Sequence, residues 1–327
     1  MSEPQPEVLA PAPGVVPGAG VVAPKQRRGH YSLLTRRDKV LLSVMVGVPL
    51  FIFVFLIWVT TLASIALSFT DWNGFDPIRF VGLANYIQLF TTYPFFWPAV
   101  FHNLLWLLIF VFFATPMGIL LAVCLDREIR GSWFYQTVFF TPVVLSLAVV
   151  GFIWELQYSP IAGNGFIDSV LAGTGLMSPN STPNWLGDPS INIFAVIIAA
   201  SWRHIGYIMV LYLAGLKSVD PSLREAAAMD GANERQTFFY VVFPVMAPIN
   251  VVIVVVTVIE SLRAFDIVYI INHGKNGLEL LSTLITNSAL SEASLIGFGS
   301  AIAVVLLTVA LVPIVAYLSR VMRTEEQ

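Results

Sequence analysis

Four charged side chains and a histidine stand inside long apolar runs of this chain: Arg203 and His204 in the run 191–216, and Glu260, Arg263 and Asp266 in the run 245–271. An ionisable group at bilayer depth is costly, so it faces a cavity, a pathway or an opposite charge. Two readings stand side by side. In the structural one, Glu260 and Arg263 are three residues apart, share a helix face and pair with each other, while Arg203 locks two helices together. In the functional one, some of these groups line a polar cavity and hydrogen-bond the hydroxyls of a polar solute. Other chemistry is not encoded. No Walker A pattern, HExxH pair or Gly-x-Ser-x-Gly elbow occurs. His30, His102, His204 and His273 have no ligand spacing, so no metal site and no catalytic residue are expected. Cys124 is the single cysteine and reads as a small core residue. A protein that moves solute uphill needs an energy source. With no phosphate-binding loop here, ATP hydrolysis would have to occur on a separate chain, a deficit that fits a permease subunit and equally a channel.

The elements that position these groups follow from composition. Of the 327 residues, 57% are hydrophobic and 11% are charged. Soluble domains average about 45–50% apolar and about 25% charged, and here the excess is gathered into blocks. The blocks predict an all-α polytopic membrane protein with six transmembrane helices, at about 40–69, 99–125, 135–154, 191–216, 245–271 and 293–318. Residues 1–30, rich in Pro, Gly, Ala and Val, read as a disordered cytoplasmic tail without a cleavable signal peptide. Pro116 predicts a kink in the second span, and Pro142 lies within the third. Residues 280–290 read as a short helix lying at the surface. Six spans put both termini on one side. Thirteen of the 17 Lys and Arg residues fall in the N-terminal segment, the turn 126–135, the loop after span four and the C-terminus. That bias places both termini and this loop in the cytoplasm. The basic residues before the first span suit anionic lipid rather than nucleic acid.

The loop after span four, 217–244, reads KSVDPSLREAAAMDGANERQTFFYVVFP. Asp220 suits an N-cap, Pro221 the first helical position, and the alanines 226–228 the helix interior. Gly231 can take positive φ and end that helix. Asn233 with Gln236 predicts a capping box for a second helix, limited by Pro244. Phe238, Phe239 and Val242 would share one side and pack back on the membrane domain.

The pattern Glu225-Ala226-Ala227, then Gly231 at a fixed interval, then Phe243-Pro244, resembles the EAA loop of ABC-importer permeases. The stretch EAAAMDGANERQTFFYVVFP is similar to the carbohydrate-uptake, binding-protein-dependent branch of that family, as is Phe80-Val81-Gly82-Leu83-Ala84-Asn85-Tyr86. The family pattern has an Asn near position 168, where this chain has Asp168. The resemblance covers about residues 40–320, with 31–323 as a six-span domain. It implies a type I ABC-importer permease fold in a bacterial inner membrane, for a sugar or related polyol. It also implies a second homologous permease, a dimer of ATPase subunits that binds ATP and Mg, and an extracytoplasmic solute-binding protein; this chain itself would hold no cofactor. In that scheme 217–244 is the coupling loop, with Glu225 as polar anchor, Ala226 and Ala227 as close-contact residues, Asp230 and Gly231 at the turn and Pro244 at the end. Arg203, Glu260, Arg263 and Asp266 are then candidates to meet sugar hydroxyls. Trp154, Trp202 and Tyr207 stack on sugar rings or serve as packing and interface anchors, and Asn103 is a weaker candidate. A secondary transporter or channel would need mid-membrane ion-coupling carboxylates and usually an internal repeat, neither of which is evident. A membrane enzyme would need a catalytic cluster.

Overall fold

The computed structural model describes residues 35–127, 130–159, 165–176, 183–290 and 294–325. The tail expected to be disordered, 1–30, lies outside them, as do Glu128 and Ile129 of the charged turn and the segments 160–164 and 177–182 of the long loop. The chain divides into two units, residues 1–56 and 57–327. In the first, helix α1 (Arg36–Val54) begins at a capping box: Thr35 accepts from the Asp38 N–H, and Asp38 accepts from the Thr35 N–H. No residue of α1 is buried, and its apolar side chains are exposed on every side. That suits a helix whose solvent is lipid.

The second unit is built of α2 (Thr60–Leu67), α3 (Ala84–Thr91), α4 (Phe96–Ile109), α5 (Thr115–Asp126), α6 (Ser132–Val144), α7 (Leu147–Gln157) and α8 (Phe166–Gly173). There follow α9 (Asn192–Ser218), α10 (Pro221–Met229), α11 (Glu234–Thr237), α12 (Phe243–Val245), α13 (Ala247–Leu262), α14 (Asp266–Asn272), α15 (Leu281–Ala289) and α16 (Ile296–Glu325). Among the described residues β-pairing is limited to one isolated bridge, Thr70 with Phe80. Among the described residues, four helical stretches are long and apolar enough to cross a membrane: Arg36–Leu67, Phe96–Asp126, Asn192–Ser218 and Ile296–Arg320. Two bent pairs, Ser132–Val144 with Leu147–Gln157 and Glu234–Val245 with Ala247–Asn272, bring the total to six when each pair is counted as one span.

The bends depart from the smooth spans expected. The third span breaks by 101° between α6 and α7. Leu145 and Ser146 are both extended there, and the Ser146 hydroxyl accepts from the Val149 N–H at 3.3 Å, starting a new helix. The fifth span bends by 79° where α12 meets α13, and it is interrupted again at Arg263–Phe265. Inside a membrane each freed carbonyl needs a donor, and side chains supply them. Asn250 donates to the Phe243 carbonyl (2.9 Å), Asn103 to the Leu262 carbonyl (3.5 Å), and Ser282 to the Ala264 carbonyl. Asn103 also accepts from the Leu281 N–H (2.9 Å). It is a clamp between α4, α13 and α15 rather than a solute ligand. Pro116 is accommodated by the wide π turn Phe110–Ala114 just before it.

The short helix α15 does not lie at the surface. Leu281, Thr283, Leu284 and Ser288 are buried, and α15 packs on α16 and α4. The segment 80–86 also has a structural job. Asn85 on α3 donates to the Ser68 and Thr70 carbonyls, both at 2.8 Å, and so closes the end of α2. Asp168 on α8 is buried and accepts from the Trp185 indole at 2.8 Å.

The long helix α9 organises the unit. It is buried along most of its length and contributes to two apolar clusters. One joins Trp106, Phe110, Val150, Ile197 and Val268; the other joins Ala122, Ile208, Met209, Tyr212, Met246 and Ile253. Glycines let its neighbours approach. A Cβ on Gly118 of α5 would stand 2.8 Å from the Ile205 carbonyl oxygen, and one on Gly206 would stand 2.1 Å from the Phe139 carbonyl oxygen.

Candidate functional site

Two sites emerge, one within the spans and one on the loop after α9. The first is a cavity of about 260 Å³ at the interruption of the fifth span. It is lined by Trp106, Phe110, Leu147, Ala200, Arg203, His204, Glu260, Arg263, Ala264, Phe265, Asp266 and Ile267. The structure thus brings together all four charged candidates. Their pairing differs from the i, i+3 arrangement read from spacing. Glu260 faces Arg203 on α9 (3.7 Å), not Arg263. The reason is local: α13 ends at Leu262, so Arg263 leaves the helix and the face it would share with Glu260. Arg263 and Asp266 are exposed and also border a wider cavity of about 560 Å³ beside α15 and α16.

The Arg203–Glu260 contact is long, and both side chains are partly accessible, at 25% and 42%. Both therefore keep hydrogen-bonding capacity for a third party, and the Arg203 Nε has no partner. Guanidinium and carboxylate forks of this kind can bond adjacent hydroxyls.

The aromatic candidates fall elsewhere. Trp154 and Trp202 contact each other edge to face, with centroids 5.9 Å apart, and line two neighbouring apolar pockets. Trp202 adjoins Arg203 in sequence, but consecutive residues of a helix point about 100° apart. Tyr207 packs against the apolar cluster around Ile208 and Tyr212. None of the three lines the charged cavity. A buried polar knot was missed: His204 Nε2 lies 3.2 Å from Thr115 and 3.4 Å from Thr257, whose hydroxyls are 3.0 Å apart. Phe110 stacks on the imidazole at 4.3 Å. Polar residues in the runs around 115 and 257 were the available signal, since an isolated hydroxyl in a span needs a partner.

The second site is a helix, turn and helix. Asp220 caps α10 by accepting from the Ser222 N–H at 2.9 Å. That hydrogen bond holds its carboxyl below the usual carboxylate range. A depressed pKa means that the cap's contribution is present at neutral pH and fades as pH falls through that lowered value. After α10, Gly231 sits at φ +80°. The Gly231 N–H bonds to the Ala228 carbonyl and the Ala232 N–H to the Ala227 carbonyl, both at 3.0 Å, the two bonds of a Schellman ending. Asn233 and Gln236 form a capping box for α11.

The second helix does not stop before Pro244. It continues through the π turn Phe238–Val242 into α12 and ends at Val245. The wide turn takes up a residue without an N–H, as it does before Pro116. Glu225, Ala226, Met229, Asp230 and Gly231 are exposed, whereas Ala227 is buried. Ala226 and Ala227, read alike from sequence, therefore differ, one exposed and the other buried. The expected Phe pair is split too: Phe238 and Val242 pack inward, and Phe239 is 62% exposed. The loop presents a carboxylate, a bare alanine and apolar tips, a surface suited to another protein.

An all-helical membrane unit with broken spans, a polar cavity at one break and an exposed helix–turn–helix defines the class of a multispan transport subunit. The model of the binding-protein-dependent transport system inner membrane component matches residues 81–324, and the chain belongs to that family. The probable ABC transporter permease protein YurN of Bacillus subtilis (strain 168) is 34% identical over 269 residues, covering 81% of this chain and 90% of that protein. The xylose/arabinose import permease protein XacH of Haloferax volcanii is 32% identical over 277 residues, covering 83% and 85%. The fold is that of a solved bacterial alginate ABC transporter, crystallised in complex with an alginate pentasaccharide-bound periplasmic protein. The TM-score is 0.71 with 23% identity, over 85% of this chain and 92% of that one.

Proposed function

We propose that this chain is one permease subunit of an ATP-driven importer for a sugar or related polyol, with the loop 217–244 as the element that couples it to a separate ATPase. The observation that carries this reading is the exposed helix–turn–helix between α9 and α13, in a chain whose family is binding-protein-dependent transport. The name of XacH supports a sugar cargo, and the alginate transporter complex supports an extracytoplasmic binding protein as partner. ATP and Mg belong to the ATPase, and a second, homologous permease completes the path. The Lys and Arg bias supports a cytoplasmic loop and cytoplasmic termini. Glu225 is the polar anchor for a basic partner, Ala226 the close-contact residue, and Asp230 with Gly231 the turn. Arg203, Glu260, Arg263 and Asp266 meet solute hydroxyls.

Copurification tests the assembly: tagged chain should bring down an ATPase and a second permease. A purified chain that transports without either would overturn the reading. Uptake in proteoliposomes against a panel of sugars, with the cognate binding protein, then names the cargo. Glu225→Lys, which reverses the anchor's charge, should lower uptake at least about tenfold while membrane insertion is unchanged. Uptake at the normal rate would remove the anchor role. Arg203→Ala should slow uptake without loss of the copurified ATPase, because the Arg203–Glu260 contact is too open to hold the fold. Failure to assemble would show instead that Arg203 is a structural tie.

A further inference from the structure

The ends of α5, α9 and the loop meet through charge. The Arg224 guanidinium reaches Asp126, the last residue of α5, at 2.7 Å through one nitrogen. Through its other nitrogen it donates to the Leu216 carbonyl in the last turn of α9, at 3.3 Å. The next residue along, Arg127, pairs with Glu234 on the other arm of the loop at 2.7 Å. Consecutive residues of opposite sign thus hold both arms of the helix–turn–helix. Leu125, Leu216 and Val242 are buried together at this end, but the packing there is not continuous. An open cleft of about 280 Å³ lies between Val123, Leu216, Ala228 and Phe238, and α10 packs mainly on α11 and the π turn of its own loop.

The two pairs are not equivalent. Asp126 is only 14% exposed and Arg224 37%, whereas Arg127 and Glu234 are 58% and 76% exposed. A shielded, forked contact keeps its strength in salt, and an open one does not.

We infer that Asp126 and Arg224 form a strut that carries displacement of the loop into the paired ends of α5 and α9. Both are positioning residues: neither reaches the solute cavity nor the exposed face of α10 that carries Glu225. The inference rests on the coupling reading of the loop and adds to it the route by which force leaves α10. Arg224 is suited to the task because its planar fork bonds a carboxylate and a helix-end carbonyl through two separate nitrogens, whereas a lysine must reach both from one.

The test uses the complete importer in proteoliposomes, with ATP hydrolysis and solute uptake measured together. Asp126→Asn and Arg224→Gln should leave hydrolysis running but lower uptake per ATP about tenfold, within the range of coupling between sites. Exchanging the charges, Asp126→Arg with Arg224→Asp, should return that ratio to within about twofold of the native value, as a direct pair requires. Arg224→Lys should fall between, and Arg127→Gln should match the native importer. Single variants with a native ratio, or an exchanged pair as defective as the singles, would overturn the strut. Should the singles fail to assemble, cysteines at 126 and 224 in a Cys124→Ser background can be joined by a short thiol cross-linker after assembly. Uptake that survives the link supports a unit moving as one, and uptake blocked by it refutes that. Failure of the coupling reading itself is separable, because Glu225→Lys would then transport normally.

Discussion

Replacing Gly231 by proline is expected to abolish uptake while the chain still inserts in the membrane. Gly231 holds φ at +80°, and proline is locked near about −65°. Proline also removes the N–H that bonds to the Ala228 carbonyl. No heavy atom lies within 4 Å of where a Cβ would stand, so the defect lies in the backbone, in its direction and the lost hydrogen bond, and not in a side-chain clash. The helix after the turn would leave at another angle, and the exposed face of α10 would lose its relation to α11. Gly231→Ala should be milder, since the left-handed region costs a non-glycine residue about 1–2 kcal/mol. The measurements are the amount of chain in the membrane fraction, the copurified ATPase and solute uptake. Normal uptake by the proline variant would end the coupling assignment for this turn.

Gly206→Val should act at the opposite level, on the fold. A Cβ at 206 would lie 2.1 Å from the Phe139 carbonyl oxygen and 3.1 Å from a Val143 methyl. The first neighbour is backbone and cannot swing away, so α6 and α9 must separate. Overpacking a filled core costs about 1–3 kcal/mol, and a backbone clash on a central helix belongs at or above the top of that range. Little or no folded chain should accumulate, as read by fluorescence-detected size exclusion in detergent. Gly173→Val on α8, where a Cβ meets nothing within 4 Å, is the control and should accumulate as the native chain does. Equal accumulation of the two variants would mean that the α6–α9 contact is not as close as described.

What could be read from the residues was what is local. Capping is decided within four residues, so Asp220, Gly231, Asn233 and Gln236 announce their turns. Apolar length announces the spans. What could not be read depends on neighbours distant in sequence. Hydropathy runs on through Leu145 and Ser146, and a lone serine does not show that α6 and α7 part by 101° there. Glu260 has Arg263 at the right spacing, yet the helix ends between them and Arg203 on another helix takes the place. Ala226 and Ala227 are identical in propensity, and packing alone decides which of them is left exposed. Trp154 and Trp202, read as candidates to stack on sugar rings or as packing anchors, contact each other and line apolar pockets apart from the charged cavity, a placement set by the packing of α7 on α9.

One consequence follows from the two interruptions of the fifth span. Between the bend at Met246 and the interruption at Arg263, α13 is an unbroken rod of 16 residues, about 24 Å long at about 1.5 Å per residue. Asn250 ties down one extremity, and Asn103 with Ser282 ties down the other. Such a rod works as a lever: a tilt of about 5° about its loop-side extremity sweeps the far one through about 2 Å, given that length. Glu260 rides near that far tip, so a tilt of that size, if the ties to Asn103 and Ser282 yield, would change its 3.7 Å approach to Arg203 by a comparable amount.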